Sequence, residues 1–129
     1  MTETETETET GIEELAEGYF RAWTARDEAG LRAVLADDAD FAGPLGTAQG
    51  VDGCVAGLLG MAQILDGVDI GHRWVDGDDV VTWFQLRTTI ADPTPVANWM
   101  RVVDGRIAVI RVTFDPRGIL AARQNGSGA

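Results

Sequence analysis

Two hydrophobic periods divide the chain. In the first half, Ile12, Leu15, Ala16, Tyr19, Phe20 and Trp23 recur at three- and four-residue steps, which predicts an amphipathic helix ending near Arg26. Thr10, followed three residues later by Glu13, fits a capping box at its start. Asp27 can cap a short second helix whose Leu31, Val34 and Leu35 face inward. A third helix is expected over 51–65, carried by Val51, Val55, Leu58, Leu59, Ala62 and Leu65. Its Gly53, Gly57 and Gly60 form a stripe that either lets another group approach or leaves room for a ligand. From Val68 onward the period becomes two. Strands are expected over 68–75, 80–90, 96–103 and 107–114. They are punctuated by Asp76-Gly77, Asp92-Pro93-Thr94-Pro95, Asp104-Gly105 and Asp115-Pro116.

Between the halves lies FAGPLGTAQGVD, 41–52. It reads as the end of a short strand, 40–42, stopped at Gly43-Pro44, because proline lacks an N–H and fixes φ. A strand broken there can form the lip of a cavity walled by the helices before it and the strands after it. Three helices with a short strand, then a four-strand antiparallel meander, make an α+β architecture.

Composition narrows the functional classes. A chain of 129 residues suffices for one domain with its own core. The formal charge is −11, and acids outnumber bases even without Glu3, Glu5, Glu7 and Glu9. That excess argues against nucleic acid, whose phosphates need a basic surface, and against an anionic membrane. The Thr/Glu alternation at 1–10 has no apolar face and is expected to be a disordered acidic tail. A single domain is expected over 11–123, with a flexible tail at 124–129. Cys54 is the one cysteine, so no intrachain disulfide can form. Nothing reads as a signal peptide or membrane span, so a cytoplasmic location is expected. The scattered His, Cys and Asp residues lack ligand spacing for a metal, and no phosphate loop, nucleophile elbow or dinucleotide fingerprint is present. No cofactor is expected.

The helical YFRAWTARDEAGLRAVLADDADF, the FAGPLG lip with GVDG after it, the VDGD and VDGR hairpins and the terminal VTFDP together resemble a SnoaL-like protein. That family belongs to the nuclear-transport-factor-2-like superfamily, which includes ketosteroid isomerase. The resemblance implies a cone-shaped α+β barrel, with three N-terminal helices on a curved, mainly antiparallel sheet around an apolar pocket. It also implies a homodimer through the outer sheet face. The isomerase tyrosine corresponds to Tyr19, and the carboxylic acid of its oxyanion site to Asn98, an amide that donates at any pH. The family's general base, immediately before the proline, corresponds to Gly43, so that base is missing. His72, the one histidine, has a reference pKa of about 6.5 suited to the task, or else faces solvent or a second subunit.

Strand alternation extends the site. With Asn98 inward, Met100 and Val102 are inward and Trp99 and Arg101 outward. Ile110, Val112 and Phe114 match lining positions of the family. On the long strand either Val81, Trp83, Gln85 and Arg87 or Thr82, Phe84, Leu86 and Thr88 face the cavity, because a one-residue slip at the preceding turn exchanges them. The expected catalytic residues are Tyr19, Asn98 and His72. The expected ligand wall comprises Trp23, Phe41, Leu58, Met61, Trp83, Met100, Ile110, Val112 and Phe114. Three functions fit. One is a cofactor-independent isomerase or cyclase acting on an apolar, polyketide- or steroid-like carbonyl compound. The others are an epoxide hydrolase using an Asp-Arg-Asp network and a non-catalytic module that binds a small apolar molecule.

Overall fold

The computed structural model describes residues 3–127. Helix α1 spans Glu3–Thr24 and α2 spans Glu28–Val34. Strands β1 (Leu35–Gly43) and β2 (Gly46–Gln49) precede α3 (Gly50–Ala62). Strands β3 (Leu65–Asp76), β4 (Asp79–Thr88), β5 (Thr94–Val103) and β6 (Arg106–Thr113) follow, then α4 (Arg117–Ser127). The chain turns from α1 into α2 through Arg26, held at φ 56°, with Asp27 N–H donating to the Ala22 carbonyl at 2.8 Å. Asp27 caps α2 by accepting from Gly30 N–H at 3.0 Å.

The six strands form one curved sheet in the order β2-β1-β6-β5-β4-β3. Every neighbouring pair is antiparallel except β1 and β6, which run parallel. The sheet stays open, with β2 and β3 as its edges, so it curves as a cone without closing into a barrel. The β3–β4 hairpin turns on Gly77-Asp78, one residue later than Asp76-Gly77, with Gly77 at φ 61°. That register settles the long strand. Val80, Thr82, Phe84 and Leu86 are buried on the inner face, and Trp83 is 41% exposed on the outer one. Asn98 and Met100 are buried on the same inner face.

The inner face is divided along the strands. Rows such as Val80–Met100–Ile110 are fully packed beneath Ile12, Ala16 and Phe20 of α1. The rows beyond Thr82–Asn98–Val112 lead into open space. Trp23 ties the two helices over that end together, its indole N–H donating to the Leu58 carbonyl at 2.9 Å.

Three elements differ from expectation. Helix α1 begins at Glu3, so Thr10 is inside it and 3–10 is helical in place of a disordered tail. Residues 1, 2, 128 and 129 of the two expected tails lie outside the described residues. The stretch after Pro44 returns as β2, pairing Phe41 with Ala48 and Gly43 with Gly46. A fourth helix, α4, occupies most of the expected C-terminal tail. Asp115 starts it by accepting from the Arg117 backbone and guanidinium, at 2.6 Å for Nη2, and Ile119 anchors it in the core. The Arg117 side chain and backbone hold the Asp115 carboxyl down at about 2.

Candidate functional site

A cavity of about 450 Å³ opens between α1, α3, the β1–β2 hairpin and the inner face of β4, β5 and β6. Phe41, Leu58, Met61, Phe84, Leu86, Val96, Val112 and Phe114 make most of its wall apolar. Gly43 and Pro44 stand at its lip, and β2 continues the lip through Gly46, Thr47 and Ala48. Gly57 and Gly60 of α3 border it where an added Cβ would meet nothing within 4 Å. Part of the cavity's width is therefore the missing side chains of that helix.

Tyr19 and Asn98 are its buried polar groups, 1% and 2% exposed. Tyr19 faces inward because it lies one turn from Trp23 and Leu15 on the apolar stripe of α1. Asn98 comes from the row where open space meets packed core, beside Thr82, whose hydroxyl accepts from Arg73 Nε at 2.9 Å. Burial pushes the Tyr19 phenol well above its ordinary value and Cys54 adds to the shift, while a hydrogen bond from the Asn98 side chain opposes them. Cys54 also lines the cavity. Its thiol donates to the Ala39 carbonyl at 3.5 Å and is pushed up by burial and then by Asp40. The Asn98 Oδ1 atom is buried without a partner. Arg123 of α4 stands at the wall with Nη2 3.9 Å from Met61 Sδ. Among the described lining residues none is a carboxylate or a histidine and Arg123 is the one charged group, so the cavity holds no ready general base.

The structure brings together Tyr19, Asn98, Trp23, Phe41, Leu58, Met61, Val112 and Phe114. It separates four other expected site residues from them. His72 is exposed on β3, its ring stacked on Trp74 at 5.5 Å, which removes it as the base. Trp83 points outward because of the hairpin register. Met100 and Ile110 share the inner face but belong to the packed rows and do not border the cavity. An Asp66–Arg87–Asp69 cluster does form, at 3.3 and 2.9 Å, yet outside the cavity, because Phe84 and Leu86 hold the inward positions of β4. Cys54, Val96 and Arg123 were not read as wall residues. Val96 shares the alternation of Asn98, and Cys54 lies one turn before Leu58. Arg123 had no signal, because no helix was expected after Asp115-Pro116.

The SnoaL-like domain family matches residues 16–110, most of the chain. The chain belongs to that SnoaL-like family. Solved structures agree in fold. A protein from Kribbella flavida DSM 17836 is 27% identical over 90% of this chain and 96% of its own, with a TM-score of 0.82. A structure named for a SnoaL-like polyketide cyclase from Jannaschia sp. CCS1 is 16% identical, covers 89% and 92%, and has a TM-score of 0.78. An LEH-like epoxide hydrolase of M. tuberculosis is 24% identical, covers 93% and 94%, and has a TM-score of 0.73. No curated protein matches the chain. In this SnoaL-like chain no group of three or more His, Cys, Asp or Glu residues is placed to hold a metal ion among the described residues. No helix among them is long and apolar enough to cross a membrane.

Proposed function

We propose that this SnoaL-like protein binds a small, largely apolar organic compound in the cavity, with an oxygen-bearing group against Tyr19 and Asn98. The observation that carries this reading is an apolar cavity of about 450 Å³ whose wall holds two buried polar side chains, the Tyr19 phenol and the Asn98 amide. A buried polar atom left unmade costs roughly 1–3 kcal/mol, and a ligand group in the cavity would relieve it. The apolar wall supplies affinity, and the polar pair supplies orientation. Tyr19→Phe and Asn98→Ala should each weaken binding of an oxygenated fused-ring compound, read by calorimetric titration, while far-ultraviolet circular dichroism stays unchanged. Unchanged affinity in both variants, with only melting temperatures lowered, would show that the pair merely ties helix to sheet.

A second reading follows from the names of the neighbouring structures: a cofactor-independent isomerase or cyclase acting on a carbonyl compound. Tyr19 would polarise the carbonyl by donating to its oxygen. The proton would have to move to water or within the substrate, because the lip position used by such enzymes is Gly43. Binding without turnover supports the first reading. We further propose that two copies pair through the outer sheet face, where Trp74 and Trp83 are 56% and 41% exposed and Trp99 lies between its strand neighbours.

A further inference from the structure

Among the described residues that line the cavity, Arg123 is the one charged side chain. Its place follows from α4. Ile119 is buried in the core, and Arg123 lies four residues on, on the same face of the helix. That spacing carries the guanidinium over α3, where Nη2 stands 3.9 Å from Met61 Sδ, another wall residue. Arg123 is itself exposed, so it marks where the cavity opens to solvent. The buried part of the wall is neutral. Burial pushes the Tyr19 phenol and the Cys54 thiol up, so both stay uncharged there. The cavity therefore passes from an apolar, uncharged interior to a cation at its mouth. That cation stands in a chain whose formal net charge is −11.

We propose that the cavity takes an amphipathic acid, an apolar ring or chain seated against the wall with a singly charged carboxylate held at the mouth by Arg123. The proposal rests on the cavity being the ligand site. The oxygen-bearing group set against Tyr19 and Asn98 is then a second, neutral one. An arginine fork meets a carboxylate with two parallel N–H donors, and the pair strengthens where the ligand body excludes water from one side. The carboxylate also decides which end of the ligand enters first. Turning the molecule round would carry its charge into buried apolar surroundings, at a cost the wall cannot offset. One guanidinium balances one charge. A phosphate monoester brings nearly two, and the second would face the negative field of the whole chain.

Calorimetric titration of the full chain with β-naphthoate, β-naphthamide and β-naphthyl phosphate at neutral pH tests the assignment. The three share a ring skeleton and differ in charge. The naphthoate should bind about three- to tenfold more tightly than the amide at low salt. That advantage should shrink as salt is raised, because the mouth is open to solvent. Arg123→Gln should bring the naphthoate down to the amide with circular dichroism unchanged. Arg123→Lys, a point charge without the fork, should keep part of the preference. Val112→Trp, which enlarges a half-buried wall side chain, should weaken both ligands. An amide that binds as tightly as the naphthoate, with both weakened by Val112→Trp, overturns the acid assignment and leaves the cavity as the site. A preference for the naphthoate that survives Arg123→Gln, or a phosphate that binds more tightly than the naphthoate, also overturns the assignment. Binding of neither naphthoate nor amide, or binding indifferent to Val112→Trp, overturns the cavity reading and the assignment with it. Should Val112→Trp fail to fold, Gly57→Leu narrows the cavity from α3 in its place.

Discussion

Gly43 is the residue that the family resemblance sets at the general-base position of a proton-transferring relative. It borders the cavity, and an added Cβ would lie 3.4 Å from both Phe41 Cε1 and Val112 Cβ, a contact small side-chain shifts relieve. Gly43→Asp should therefore fold and set a carboxylate on the same wall as Tyr19 and Asn98. Steroid double-bond isomerisation should be negligible in the unmodified protein and rise measurably in that variant. A folded variant with no gain would refute the correspondence of Gly43 to the family's base. Tyr19 yields a second prediction, because it is the one tyrosine of the chain. Burial raises its pKa in the folded state, so the folded state holds that proton more tightly than the unfolded chain. The corresponding stability is fully present below the ordinary value of 10.0 and is lost as pH climbs above it; Cys54 adds the same trend from 9.0. The melting temperature should hold to about pH 9 and then fall, with phenolate absorbance rising only as the protein unfolds. Phenolate absorbance near pH 10 in a protein that remains folded would contradict the burial of that hydroxyl.

Helix α3 shows how an element can be tuned against its own propensity. Gly57 and Gly60 face open space, so alanine at either position would clash with nothing nearby. Glycine inside a helix costs roughly 1 kcal/mol relative to alanine. Gly57→Ala and Gly60→Ala should therefore each raise stability by about that amount in chemical denaturation, the gain coming from helix propensity. Binding of a large cavity ligand should weaken in the same variants as the wall moves inward. Stability unchanged or lowered would mean that the glycines serve the fold. Gly53 differs, because a Cβ added there would lie 3.7 Å from Ala48 Cβ on the lip strand, an ordinary contact.

At the scale of the molecule, the curved sheet separates two apolar surfaces. The inner one encloses core and cavity; the outer one carries three of the four tryptophans, Trp74, Trp83 and Trp99. Trp99 is partly satisfied within its own chain, donating to Asp79 at 3.0 Å beneath the Arg101 guanidinium. Trp74, stacked on the His72 ring, and Trp83 stay 56% and 41% exposed. Sedimentation at micromolar concentration should give a dimer, and Trp83→Glu should shift it to monomer without changing circular dichroism. A monomer in the unmodified protein would refute pairing through this face.

The periodicity of the chain was enough to establish the α+β class, three of the helices, the four-strand meander and the inward direction of Tyr19, while the family resemblance supplied that of Asn98. These follow from local rules: helical spacing from Leu15 to Trp23, and alternation from Asn98 to Val102. Asp27 was equally legible as a cap, because its partner Gly30 lies three residues away. What escaped depends on contacts between distant segments. Trp83 and Phe84 could exchange faces until the Gly77-Asp78 turn set the register. Met100 and Asn98 share a face, and only the placement of α1 over one end of the sheet made one core and the other cavity wall. His72 lost its candidacy in the same way, because β3 became an edge strand and left the ring against Trp74. Strand β2 and helix α4 are too rich in glycine and polar residues to show a period. They form because Phe41 pairs with Ala48 and Ile119 finds a place in the core, long-range contacts that local patterning does not encode.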